Sequence, residues 1–267
     1  MQLSALYRYP LKSARGQALQ SSSLGQLGLN GDRRWMLVER GNGRFLTQRA
    51  YPQMSQLTAL YSDDGHLTLQ APGRSALSVP VPQADSDLRG VTIWRDTFRV
   101  PDAGDEAGQW LSEFIGKDIR LVHVPEERAR FLPGGYGDNT DRVAFADGFP
   151  LLLIGQSSLD DLIQKVGRPL EMARFRPNLV VEGAQAFAED GWKRIRVGDM
   201  EFRVLKPCER CIMTTIDPQT GERSADREPL TTLKTYRQKE GDVLFGQNLV
   251  ADGSGTLEVG MPVTVLE

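Results

Sequence analysis

Lys206-Pro207-Cys208-Glu209-Arg210-Cys211-Ile212-Met213-Thr214-Thr215-Ile216-Asp217-Pro218 holds both cysteines of this 267-residue chain. A thiolate is a soft metal ligand and a strong nucleophile, and positive charge beside it favours it. Lys206 and Arg210 flank this pair. The β-branched run Thr214-Thr215-Ile216 favours extended backbone, so a strand is expected over Cys211 to Ile216. A turn at Asp217-Pro218 closes the unit.

The bare C-x-x-C spacing admits several chemistries. Structural zinc takes about four ligands, and the only histidines, His66 and His123, lie far apart. A thioredoxin-type pair opens a helix after a strand, whereas this pair is expected to enter a strand. Two thiols fall short of the roughly four ligands of an iron–sulfur cluster, so no intrinsic cluster is expected. A chemically active pair and two small buried apolar residues both remain open on spacing alone.

Composition narrows the classes. The chain is 40% hydrophobic and 25% charged, as a soluble globular protein is. A net charge of -3 leaves no basic excess for electrostatically driven nucleic-acid binding, so no nucleic-acid partner is expected. Pro150-Leu151-Leu152-Leu153-Ile154 is among the longest apolar runs and is too short to span a bilayer, so no membrane partner is expected. Met1 to Pro10 alternates like a strand and lacks a signal peptide's apolar core, which makes the cytoplasm the expected location.

Working outward, the first hundred residues read as short strands separated by Gly, Pro and Asn. Arg34 to Glu39, then Arg40-Gly41-Asn42-Gly43-Arg44, then Phe45 to Gln48 is a hairpin signature. Leu57 to Tyr61, His66 to Gln70 and Val91 to Phe98 continue the pattern, which suggests a barrel or sandwich. Ala107, Trp110, Leu111, Phe114 and Ile115 make one apolar stripe, predicting a helix from Glu106 to Gly116. Arg120 to Val124 reads as a strand. The composition changes before the turn-rich Pro133 to Asn139 stretch, placing a boundary near residue 124, with domains 1–124 and 125–267. The second half opens with a strand at Leu151 to Gly155 and a helix capped by Ser157 or Ser158 and ended by Gly167. Strands are expected at Leu179 to Glu182, Arg194 to Val197, Glu201 to Leu205 and Leu257 to Leu266, with a helix near Pro229 to Arg237. The fold class is mainly β with a few helices (α+β).

A Ser–His–Asp hydrolase is disfavoured, because Gly155-Gln156-Ser157-Ser158-Leu159 lacks the second glycine of a nucleophile elbow. No phosphate loop occurs, and Gly134-Gly135-Tyr136-Gly137 lacks the preceding strand of a dinucleotide fingerprint. Three polar clusters stand out instead. They are Tyr9-Pro10-Leu11-Lys12-Ser13, Gly31-Asp32-Arg33-Arg34-Trp35 and Phe175-Arg176-Pro177-Asn178. Forked cations, an ammonium, a hydroxyl and an amide together suit a phosphate-bearing polar cofactor.

The Lys206–Thr215 segment followed by Asp217-Pro218-Gln219-Thr220-Gly221 resembles the signature of MOSC domains. The three polar clusters and Leu244-Phe245-Gly246-Gln247 resemble, in order and over nearly the whole chain, the amidoxime-reducing and YcbX-like subfamily. The resemblance implies an N-terminal β-barrel-like domain packed on a MOSC β-barrel domain, with molybdenum cofactor (the molybdopterin form) between them. It singles out Cys211 as the molybdenum ligand and gives Cys208 a supporting role. It places Lys12, Ser13, Arg33, Arg176 and Asn178 on the cofactor, with Glu209 and Arg210 beside the metal ligand. Asp147 and Phe149 fall where the family lines the cofactor, Asp147 as a catalytic candidate, and Thr47, Arg49, Gln247 and Asn248 are further candidates.

The implied activity is reduction of small N-hydroxylated compounds such as amidoximes and hydroxylamines. YcbX-like proteins often carry a C-terminal ferredoxin-type domain. This chain stops after Leu266-Glu267, so the expected donor is a separate ferredoxin-like protein, flavoprotein or cytochrome. A molybdenum-cofactor carrier and a sulfur carrier using a Cys211 persulfide are the alternatives.

Overall fold

In the computed structural model, which describes residues 1–62 and 65–267, the alternating segments form strands, and three α-helices occur among the described residues. The largest sheet has nine strands. Its path runs Gln17–Leu19, Gln2–Arg8, Leu179–Glu182, Leu151–Gly155, Asp242–Ala251, Met200–Glu209, Arg194–Val197 and Val263–Val265, with Gln238–Lys239 beside Asp242–Ala251. Among the described strands of this sheet, only Leu151–Gly155 and Leu179–Glu182 pair in parallel. The Leu3 N–H donates to Met261 O and the Val263 N–H to Met1 O, both at 2.9 Å, so the sheet curls back onto its second strand. Such closure pairs groups that a sheet edge would leave open. Because the first strand belongs to this sheet, backbone hydrogen bonds cross the expected boundary at residue 124.

Period-two alternation divides the apolar residues of this sheet between two cores. Leu153 and Val181 join Leu3, Ile195, Phe202 and Leu249 inside the curl. Their neighbours Ile154 and Val180 point outward with Phe245, against Leu159 and Leu162 of the helix Gln156–Val166. The first half has its own core, where Ala107, Leu111 and Ile115 of the helix Asp105–Ile115 meet Trp35, Leu37, Leu57, Leu69 and Leu121. Each large side chain buried this way contributes about 1.5–3 kcal/mol.

Several expected elements differ in detail. Val91 to Phe98 is not one strand but a hairpin, Leu88–Ile93 and Asp96–Pro101, because Trp94 at φ 54 turns the chain. Leu257 to Leu266 breaks into Gly255–Glu258 and Val263–Val265 around Gly260, at φ 96. The hairpin expected at Arg34 to Gln48 keeps its turn, but Trp35–Glu39 pairs fully with Ile119–His123, leaving Phe45 a single bridge. Neither Ser157 nor Ser158 caps the second helix, which starts directly off Gly155. The buried Glu189 carboxylate accepts there instead, from the Gly155 N–H at 3.1 Å and the Ser158 hydroxyl at 2.7 Å. A carboxylate suits the positive end of a helix.

The strand expected over Cys211 to Ile216 is also absent. Met200–Glu209 ends before Cys211, and Ile212–Thr215 forms a 3-10 turn. The threonine hydroxyls decide this: Thr214 Oγ1 donates to Cys211 O at 3.0 Å and Thr215 Oγ1 to Ile212 O at 2.7 Å. Such local bonds compete with a strand ladder, overriding β-branched propensity.

Gly246 shapes the neighbouring strand. Pro207 faces Gln247 and Glu209 faces Leu244, so Asp242–Ala251 holds one extra residue opposite Cys208. Gly246 takes the bulge at φ 82, the left-handed region that suits glycine. A Cβ there would stand 2.8 Å from Leu153 O and 2.7 Å from Ile154 Cγ1. Gly246→Ala is therefore expected to lower stability by about 1–3 kcal/mol, measured by urea unfolding. An unchanged midpoint would show that the bulge carries no strain for a side chain.

Candidate cofactor-binding cleft

The ends of four segments converge on one cleft. The Tyr9–Ser13 loop follows the first strand, the Arg33 turn precedes Trp35–Glu39, the Phe175–Asn178 turn precedes Leu179–Glu182, and Cys208–Cys211 leaves the end of Met200–Glu209. Lys12, Ser13, Arg33, Thr47, Arg49, Asp147, Phe149, Arg176, Asn178, Glu209, Arg210, Cys211 and Asn248 all line it. Of the residues expected from the sequence, only Gln247 does not. Asn248 faces the cleft, so alternation turns Gln247 to the other face, where its amide donates to Asp190 at 2.7 Å. Arg174, Cys208, Met213 and Thr214 also line the cleft. The expectation missed Arg174, although it sits two residues before Arg176.

Six cationic side chains against two carboxylates give the lining a positive bias. Backbone strain accompanies them: Ser13, Arg33 and Arg176 adopt φ of 64, 46 and 56, in a region that disfavours side chains. Such strain persists where surrounding structure holds it, often at binding sites.

Arg33 is held from several sides. Its Nη1 donates to Asp32 at 2.7 Å and to Asn178 Oδ1 at 2.9 Å, and its Nη2 to Arg176 O at 3.1 Å. Asn178 is fully used, since the Leu152 N–H also donates to its Oδ1 and its Nδ2 donates to Tyr7 O at 3.1 Å. Its amide positions Arg33 rather than facing a ligand. Arg34 points elsewhere, with Nε donating to Val124 O at 2.8 Å. Arg176 donates to Ala14 O at 2.6 Å, and burial, then Arg33, push its guanidinium down to about 10.

Lys12 donates to Phe145 O at 2.7 Å and pairs with Asp147. Burial pushes its ammonium down to about 8, against the pull of Asp147. Burial also works against the Asp147 charge, but Lys12, then Arg49 and the Trp94 indole, outweigh it and hold the carboxyl at about 2. Asp147 still keeps half of its side chain exposed at the rim.

The two cysteines differ. Cys208 is half-buried against the outer core, and its sulfur accepts from Arg210 Nη1 at 2.9 Å. Arg210 Nη2 donates to Phe175 O at 2.7 Å. Cys211 is exposed, at the start of the 3-10 turn. Among the described residues no cluster of three or more His, Cys, Asp or Glu could hold a metal ion. A metal here would draw most of its ligands from the group that carries it.

The lining fits a phosphate-bearing anionic cofactor. Arg49 Nε and Arg210 Nε are buried N–H donors without a partner. Buried donors usually find acceptors, and an anionic ligand in the cleft would supply them.

Similarity to known proteins agrees with this architecture. Residues 1–118 match the MOSC N-terminal beta barrel domain and residues 140–264 the MOSC domain. The mouse protein named mitochondrial amidoxime-reducing component 1 is 33% identical, over 99% of this chain and 82% of its own length. The cattle mitochondrial amidoxime reducing component 2 is 34% identical, over 98% of this chain and 82% of its own. A rice molybdenum cofactor sulfurase is 31% identical over 91% of this chain, but over 32% of its own length. The chain belongs to the MOSC-domain family of the amidoxime-reducing components. No helix among the described residues is long and apolar enough to cross a membrane.

Proposed function

We propose that this protein is a molybdenum-cofactor oxidoreductase that reduces small N-hydroxylated compounds with electrons from a separate redox protein. The observation that carries this reading is one exposed thiol, Cys211, at a cleft lined by six cations, of which Arg49 and Arg210 turn unpartnered N–H groups to it. The names of the relatives support the same reading. When bound, the cofactor would supply two-electron removal of oxygen from the N–O bond.

Cys211 would be the protein's ligand to the metal. Lys12, Arg33 and Arg176 would hold the phosphate and pterin ends, with Ser13 and Thr47 as neutral partners. Arg210, anchored on Phe175 O and the Cys208 sulfur, would keep the metal-ligand segment in place. Lys12 and Arg49 hold the Asp147 carboxyl low and favour its charged form, so we assign it the orientation of Lys12 and Arg49. The two cysteines fall short of an iron–sulfur cluster's ligands, which supports an external ferredoxin-like, flavoprotein or cytochrome donor. Both are free, which suits a reducing compartment such as the cytoplasm.

The test is elemental and cofactor analysis of protein made in a host that synthesises molybdenum cofactor, followed by chemical reduction and addition of an amidoxime or hydroxylamine. About one molybdenum per chain and release of the amidine or amine are expected. Metal without product would identify a carrier, and a persulfide without metal a sulfur carrier.

Lys12 adds a pH dependence. Its charge is present below about 8 and is lost as pH rises through that value. Deprotonation removes a cation facing the anionic cofactor, so retention should fall roughly tenfold on the alkaline side, about the worth of one charge-assisted hydrogen bond. Lys12→Met should retain cofactor poorly at every pH. Molybdenum content after gel filtration across this range reads both effects, and a flat wild-type profile would remove Lys12 from the cofactor's partners.

A further inference from the structure

Behind the cleft, across a wall made by Arg174, Arg176 and Met213, lies a second pocket. Two hydroxyl-bearing residues line it. Tyr9 and Ser55 are 0% and 1% exposed, and neither hydroxyl has a hydrogen-bond partner. Arg174 spends Nη2 on Asp217 at 2.7 Å, while its Nε and Nη1 are buried and unpartnered. Around these donors the walls are largely apolar, with Tyr7, Ile216 and Pro218 besides Met213 and the Tyr9 ring. The one carboxylate of the lining, Glu171, is occupied at the rim by Gln219 Nε2 at 2.6 Å.

Unsatisfied buried donors ask for an acceptor, and apolar walls ask for a flat apolar body. The donors are Tyr9 Oη, Ser55 Oγ, Arg174 Nε and Arg174 Nη1. A carboxylate is acceptor-only, with about four lone-pair sites on its two oxygens, which matches that set. A phosphate dianion would bring more lone-pair sites than there are donors, and a primary amide would turn its own N–H groups against them.

We propose that this pocket binds a small aromatic carboxylate, with its carboxyl group on Tyr9, Ser55 and Arg174 and its ring against the apolar wall. Binding here does not require the cofactor, so the two readings stand or fall separately.

Calorimetric titration with benzoate tests this on cofactor-loaded protein and on the Cys211→Ser variant, with benzamide and inorganic phosphate as comparison probes. Benzoate should bind both proteins, and benzamide and phosphate should bind at least about tenfold more weakly. Tyr9→Phe and Ser55→Ala should each weaken benzoate roughly tenfold while circular dichroism shows the fold retained. Any one of four results overturns the assignment: no benzoate binding to either protein, equal binding of benzamide or phosphate, no effect of both hydroxyl variants, or binding confined to Cys211→Ser. The last would make this pocket part of the cofactor's own site. Molybdenum content of the same samples reports on the cofactor reading independently.

Discussion

Cys211→Ser is expected to empty the protein of molybdenum and to cut turnover more than about 100-fold, beyond the 10–100-fold that loss of an outer partner costs. Cys211 is exposed at the start of a 3-10 turn, beside the cations that would receive an anionic cofactor. Cys208 sits half-buried three residues earlier, packed on the outer core and engaged by Arg210. Cys208→Ser should therefore keep most of the metal and lose activity only modestly, through a looser Arg210. Equal metal loss in the two variants, measured by elemental analysis, would show that the pair acts as a unit.

Asp32→Ala should produce the largest loss of stability among the cleft substitutions, about 3–5 kcal/mol. Asp32 is 2% exposed, and it accepts from the Tyr9 N–H and from Arg33 Nη1, both at 2.7 Å. Removing the carboxylate strands a buried N–H and leaves the Arg33 guanidinium without its counter-charge. The Tyr9 ring would suffer too, since it lies between Arg33 at 4.4 Å and Arg176 at 4.2 Å. Asp32→Asn keeps an acceptor for Tyr9 and should fall between wild type and Asp32→Ala. Urea unfolding reads the difference, and a loss under about 1 kcal/mol would mean that the pair is worth no more than a surface ion pair.

Much of the cleft was legible because its parts are local. Lys12-Ser13, Asp32-Arg33 and Arg176-Asn178 each combine a charge or polar group with a turn next to a strand, and such turns end where a sheet opens. Helix ends were legible for a similar reason: Gly116 and Gly167 take φ of 77 and 75, which glycine permits. What misled were signals that depend on partners. Thr214-Thr215-Ile216 has strand propensity, but two hydroxyl bonds hold it as a 3-10 turn. Ser158 looked like a helix cap until Glu189 claimed its hydroxyl. Arg174 escaped notice because no local pattern separates a buried guanidinium with two N–H groups left unpartnered from a surface one.

By itself, then, the amino-acid order determined a mainly β chain, the two halves' apolar patterning, and which short segments carry cations, hydroxyls and thiols. Tertiary structure alone decided how those groups are spent. It made Cys211 open and Cys208 half-closed, consumed the amide of Asn178 in holding Arg33, and turned Gln247 away from its neighbour Asn248. The physical reason is that a side chain's chemistry is local, whereas its exposure and its hydrogen-bond partners come from strands that meet across as many as 237 positions, as Ser21 and Glu258 do. Register and burial, which no short stretch encodes, determine whether a charge faces a ligand or another residue.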